Sequence, residues 1–238
     1  MLGVPLDRLY DSSRPVLFES DGDEFPYWGA GTCFLFTYCD KLYAATAGHN
    51  FQTASAEAMR IAAYDGSGIF LPLVASWSSD RSTHDYGDLH VVRVTRSPRR
   101  TRREAFRFDR GTLETGRSAL IDDGDLVISG YPNCRQHIDY DANSVHRQRA
   151  VLAARHLGFR DNQDEWVRTL QIVNRSEVRE VGGFSGSPVF GRGPDQSWGL
   201  AGVAIQGGES FRVQFIDAMV LWTFMEKITG GKASRAAG

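Results

Sequence analysis

Lysine is almost missing from this chain: Lys41, Lys227 and Lys232 are the only three, and Arg supplies the rest of the 27 basic residues. Against 29 acidic residues this leaves a net charge of −2. The basic excess of an ordinary nucleic-acid-binding domain is therefore absent, and no nucleic-acid partner is expected. Cysteine is scarce and odd in number. Cys33, Cys39 and Cys134 cannot build a disulfide framework, so three free thiols are expected. No window approaches the roughly 18 consecutive apolar residues of a membrane-spanning helix, and no membrane partner is expected. The opening stretch, MLGVPLDRLY, meets Asp7 and Arg8 before any long apolar run. It lacks the basic-then-apolar order of a secretory leader. These absences together predict a protein of a reducing compartment, the cytoplasm.

What is present is a rhythm of short apolar runs. They fall at 32–37, 42–46, 69–74, 89–94, 126–129, 169–173, 188–190, 200–205 and 211–216, and Gly, Asp, Asn and Ser separate them. Runs of about five residues, rich in β-branched and aromatic side chains, are the pattern of an all-β sandwich or barrel. The runs at 32–37 and 42–46 read as the two arms of a hairpin. Helical spacing is clear only near the end, where Val220, Leu221, Phe224, Met225 and Ile228 share one face and Gly230-Gly231 stops the helix. The segment Thr95–Arg110 breaks the rhythm, being crowded with Arg, and reads as a solvated connection. The expected organisation is a β unit over 14–95, a linker over 96–116, a second β unit over 117–217, a helix over 218–229 and a tail over 230–238.

Three stretches carry residues suited to chemistry. Ala44-Ala45-Thr46-Ala47-Gly48-His49 ends a strand in small residues and then presents an imidazole. Asp88-Leu89-His90-Val91 places a carboxylate at a strand entrance, with Asp85 as the nearby competitor. Gly182-Gly183-Phe184-Ser185-Gly186-Ser187-Pro188 is a tight loop able to turn its amides inward around a serine. Each alone reads as an ordinary turn or strand edge.

Taken in order, the three resemble the Thr-Ala-Gly-His, Asp-hydrophobic and Gly-x-Ser-Gly-Ser-Pro segments of the chymotrypsin-like serine proteases, in a non-secreted bacterial-type form. Two further stretches are similar to the same family: Gly29–Leu35, like the strand before its histidine, and Gly202–Gly207, like the strand lining its substrate cleft. The order His, Asp, Ser separates this pattern from subtilisin-like enzymes and from α/β-hydrolases. The resemblance implies an all-β fold of two six-stranded antiparallel barrels with a short C-terminal helix. It implies a serine endopeptidase in which Ser185 attacks the scissile carbonyl, His49 moves the proton and Asp88 orients His49. The amides of Gly183 and Ser185 would form the oxyanion hole. The partner would be a protein or peptide substrate, with an activating protein as a further possibility, and no cofactor or metal is implied. Two other readings stay open: a silent relative that only binds peptides, and an esterase using the same triad.

Departures from the family pattern are specific. Phe184 stands where secreted members carry the Asp that captures a new N-terminal amine, so activation by that route is not expected. Asn50 replaces a Cys after the histidine. Gly130-Tyr131-Pro132 resembles the glutamyl-endopeptidase branch, but Ala204 occupies the position of that branch's cleft histidine. The implied specificity pocket draws on Arg179, Val181, Gly182, Ile205, Gln206 and Gly207. An inward Arg179 would select an acidic P1 residue, an outward one would leave an apolar floor of Val181, Gly182 and Ile205, and Glu177 or Glu180 could select a basic P1 residue.

Overall fold

A computed structural model describes residues 9–19, 27–51, 54–64, 68–79, 87–139, 144–160, 165–208 and 210–230. The competitor Asp85 and the tail beyond residue 230 lie outside the described residues.

The N-terminal unit contains β1 (Ser13–Glu19), β2 (Tyr27–Tyr38), β3 (Lys41–Ala47), β4 (Met59–Ile61), β5 (Leu73–Ser78), β6 (Leu89–Val94) and the short β7 (Phe106–Arg107). Its sheet runs β4-β1-β2-β3-β6-β5, with β7 added beside β2. The expected hairpin is β2–β3. Its two turn residues, Cys39 and Asp40, both adopt positive φ (47° and 59°), the turn geometry whose twist matches paired strands. Among the described residues the ends of this sheet meet at a single bridge, Ala62 to Phe70. This unit is therefore a half-barrel, whereas a closed six-stranded barrel was expected.

The C-terminal unit contains β8 (Leu126–Gly130), β9 (Gln136–Asp139), β10 (Ser144–Arg147), β11 (Ala150–Phe159), β12 (Val167–Ile172), β13 (Pro188–Arg192), β14 (Trp198–Gly207) and β15 (Arg212–Asp217). Six of these close an antiparallel barrel in the order β11-β12-β15-β14-β13-β8, and β9–β10 form a separate hairpin. The all-β expectation holds.

The connection between the units is not a plain linker. It carries α1 (Arg99–Glu104), β7 and α2 (Arg110–Ile121), and the next strand begins only at Leu126. Local chemistry starts α2. The Asp109 carboxylate accepts from the Thr112 amide, and the Thr112 hydroxyl accepts from the Asp109 amide, both at 3.0 Å, a reciprocal cap that satisfies two end groups. The expected C-terminal helix is α3 (Ala218–Thr229). It is capped by Asp217, whose carboxylate accepts from Met219 N at 2.9 Å, and closed by Gly230 at φ 69°. Among the described residues no helix is long and apolar enough to cross a membrane.

Alternation along β2 serves two cores. Cys33 and Leu35 enter the interior of the N-terminal unit with Val16, Phe18 and Ile61. Phe34 and Phe36 face the other way, into a cluster that also holds Phe190, Leu200, Val203 and Ile205 of the C-terminal barrel. That barrel has its own interior around Ile128, Leu152, Leu170 and Val189. The middle cluster is the seam between the units, and the candidate catalytic residues lie along it.

Candidate active site

The pairing of β3 with β6 explains how two distant residues meet. Ala47 is in register with Leu89. His49, just past the end of β3, thus comes beside Asp88, just before β6. The chain there folds into a short 3-10 turn, and Asp88 holds it at three points. Its carbonyl accepts from Gly48 N at 3.0 Å. Its Oδ1 accepts from the backbone of His49 at 2.8 Å, and its Oδ2 meets His49 Nδ1 at 2.6 Å. The carboxylate is 6 % exposed and the imidazole 26 %. A carboxylate accepts only, so Nδ1 carries the proton of this bond, and in the neutral ring Nε2 is then the acceptor nitrogen.

Ser185 is carried by the loop between β12 and β13. Phe184 anchors this loop, its ring 1 % exposed within the interior of the C-terminal barrel. The Gly182 carbonyl is turned aside to accept from Asn133 N at 2.9 Å, and the Phe184 carbonyl accepts from Ser187 N at 2.8 Å. Gly183 has φ +91°, and a Cβ there would lie 2.5 Å from the Tyr131 carbonyl. Only glycine fits both conditions. The amides of Gly183 and Ser185 have no hydrogen-bond acceptor among the described residues. They are unengaged donors on either side of Phe184 in the chain.

The seam joins the two halves of the site. The Ser185 carbonyl accepts from Thr32 N at 2.9 Å and from Asn50 Nδ2 at 3.3 Å. Asn50 follows His49 in the chain and also donates to Thr46 Oγ1 at 2.9 Å. Ser185 is thus tied to the turn that carries His49. Its own hydroxyl donates to the Ile205 carbonyl at 3.3 Å.

Three contributors were not read from the sequence as site residues. Thr32, fully buried, accepts from Tyr131 N and donates to the Gly183 carbonyl, both at 2.9 Å. Asn50 ties the turn of His49 to Thr46 Oγ1 and the Ser185 carbonyl. Asn133 sets the Gly182 peptide. The only signals were an Asn where the family pattern has Cys and a buried Thr in an otherwise apolar strand.

A cavity of about 330 Å³ opens beside the loop, lined by Arg179, Glu180, Val181, Gly182, Gly207, Gly208 and Phe211. Four of the expected pocket residues are in it: Arg179, Val181, Gly182 and Gly207. Ile205 instead lies buried in the seam, offering its carbonyl to Ser185, and exposed Gln206 is outside the lining. Val181 is buried while Arg179 and Glu180 are exposed, so the inner wall is apolar and the charges are at the rim.

The chain matches no protein-family model and no curated protein. Its architecture, a closed six-stranded barrel packed against a half-barrel and followed by a helix, is compatible with a chymotrypsin-like fold.

Proposed function

We propose that this protein is a chymotrypsin-like serine endopeptidase acting through His49, Asp88 and Ser185. The observation that carries the reading is the double grip of Asp88 on His49, set across the seam from a serine flanked by two unengaged amides. A turn or strand edge needs no such combination.

Catalysis begins when the Ser185 hydroxyl leaves the Ile205 carbonyl, by rotation about χ1, and donates to His49 Nε2. Oγ then attacks the substrate carbonyl as Nε2 takes the proton. Charge develops on the carbonyl oxygen, where the amides of Gly183 and Ser185 receive it, and on the imidazole, where Asp88 offsets it. Nε2 returns the proton to the leaving amine, an acyl-enzyme forms on Ser185, and water repeats the sequence in reverse. The apolar cavity takes the P1 side chain.

The oxyanion loop is held by the buried Phe184 ring, by Asn133 and by Thr32. None of these is a chain-terminal amine, which supports activity without N-terminal trimming of the trypsin kind.

A fluorophosphonate probe tests the reading. It should label the wild type and fail to label Ser185→Ala at an unchanged melting temperature. Labelling of both, or of neither, would overturn the assignment. Matched peptide and ester substrates on the wild type then separate an endopeptidase from an esterase.

A further inference from the structure

Arg147 ends β10 and reaches out of the C-terminal unit to the seam. Its Nη1 donates to the Gly31 carbonyl at 3.2 Å and to the Val16 carbonyl at 3.5 Å, and its Nη2 donates to Asn133 Oδ1 at 3.4 Å. The bond to Gly31 is at the long end of the normal range and the other two are longer than it. Its Nε is buried without a partner, and no carboxylate lies within ion-pair distance among the described residues. Burial pushes the guanidinium down to about 10. A buried cation with only neutral acceptors is an unfinished arrangement, since guanidinium pairs best with a carboxylate fork to fork. The edge bearing Nη2 is open to solvent at Asn133, so an anion can reach it.

The position is as informative as the charge. Gly31 and Asn133 are the two neighbours of the candidate catalytic loop on this side. A Cβ on Gly31 would lie 2.8 Å from the Ser185 carbonyl, and a Cβ on Gly183 would lie 2.8 Å from Asn133 Oδ1. The cavity assigned to P1 is lined by Gly182, Gly207 and Phe211, and Gly182 is bonded through its carbonyl to Asn133 N. Arg147 thus bonds two residues that border the loop of Gly183 and Ser185, within reach of a peptide chain continuing past a scissile carbonyl held there. Gly29 clears the space the guanidinium occupies: a Cβ there would come 2.7 Å from Cζ.

We infer that Arg147 forms a carboxylate-binding subsite on the leaving-group side of the cleft, taking an Asp or Glu side chain or a free chain terminus within the first few residues after the scissile bond. This rests on the endopeptidase reading above. Arg147 is a specificity-determining residue that acts on the substrate and takes no part in the proton transfers.

The test uses the full chain and quenched peptides identical on the acyl side. One series carries Glu or Gln at each of the first three positions after the scissile bond. A second ends at those positions in a free carboxylate or an amide. The readout is the acid-to-neutral ratio of kcat/KM, not the absolute rate. The wild type should favour acid at one position by about tenfold or more, the scale of one charge-assisted hydrogen-bonded pair. Arg147→Gln should bring the ratio near one. Arg147→Lys should keep part of it, because charge remains while the fork is lost. Gly29→Ala should lower it as well, by displacing the guanidinium with its charge intact. That variant decides the matter if Arg147→Gln does not fold. The Glu arm and the free-terminus arm distinguish the two sources of carboxylate, and preference in either supports the subsite. A wild type that cleaves without acid preference, or a ratio unchanged in both Arg147→Gln and Gly29→Ala, overturns it. If the wild type cleaves nothing, the endopeptidase reading is what has failed. The Kd ratio of the same peptides on Ser185→Ala then tests the subsite on its own, and equal affinities overturn it.

Discussion

The hydroxyl of Thr32, in the middle of β2, donates at 2.9 Å to the carbonyl of Gly183 in the catalytic loop, 151 residues along the chain. The same oxygen accepts from Tyr131 N at 2.9 Å. One buried hydroxyl therefore fixes the Gly183 peptide from the opposite unit. Thr32→Val keeps the shape and orphans both backbone groups, which costs about 1–3 kcal/mol for each unpaired buried group. A lower melting temperature and a kcat reduced at least about tenfold are expected. Thr32→Ser, which keeps the oxygen, should stay close to wild type. Equal kinetics for Thr32→Val and Thr32→Ser would show that the bond does not hold the loop.

Asn50 makes a second tie, from the histidine turn to the Ser185 carbonyl at 3.3 Å. Asn50→Asp is nearly isosteric but turns a donor into a charged acceptor facing a carbonyl. It should be more damaging than Asn50→Ala, both in melting temperature and in the rate of fluorophosphonate labelling. The reverse order would mean that packing, and not the donated hydrogen bond, is what Asn50 supplies.

Asp88 holds His49 through ring and backbone together, so it sets both the tautomer and the position of the imidazole. Asp88→Asn can offer an N–H to Nδ1 and so favours the wrong tautomer. A fall in kcat of about 10⁴ is expected at neutral pH. Activity within tenfold of wild type would remove Asp88 from the triad.

Acid should weaken the fold through His90. Its Nδ1 lies 2.7 Å from Ser78 Oγ and its ring is 3.9 Å from that of Phe51. Burial holds it down to about 4, against 6.5 when exposed. Between those values the unfolded chain binds more protons than the folded one. Stability is therefore full above about pH 6.5 and falls as the pH drops toward 4, by up to about 3 kcal/mol. Burial shifts His156 in the same direction and adds to the loss. Melting temperatures between pH 7.5 and 4.5 should decline less steeply in His90→Gln than in wild type. Parallel curves would exclude His90 as a source of the acid sensitivity.

The P1 cavity predicts a medium-sized apolar preference. Val181 and Phe211 are the apolar side chains of its lining, while Arg179 and Glu180, also in the lining, stand exposed at its rim. A library varied only at P1 should give the same profile for wild type, Arg179→Ala and Glu180→Ala. Loss of an acidic preference in the first variant, or of a basic preference in the second, would move that residue from rim to floor.

The β architecture was legible because strand signals are local: β-branched and aromatic runs with turn residues between them. The three candidate catalytic residues were legible because each sits in a short motif and the motifs follow one order. The helix α2 was not, because Arg110, Arg117 and two glycines dilute its apolar face, and its cap depends on Asp109 and Thr112 exchanging bonds. Thr32 and Asn50 escaped notice for another reason. Their partners lie 151 and 135 residues away, and no local pattern encodes a bond across a seam. The bridge at Ala62 and Phe70 escaped for a similar reason, since closure of a sheet depends on where its two edges end up.

The division of β2 between two cores bears on how the protein is made. The N-terminal unit leaves the ribosome first, and its own interior needs only Cys33, Leu35 and their partners. Once folded, it displays Phe34, Phe36, Tyr43 and Val91 on its outer face, a sticky apolar surface not yet fully covered. Phe106 and Phe108 cover part of it, but the rest of its cover, from Phe190 to Met225, is synthesised last. The nascent chain thus passes through a stage in which half the molecule is finished and prone to self-association. That stage ends only when the second barrel docks, which is also the event that assembles the cleft.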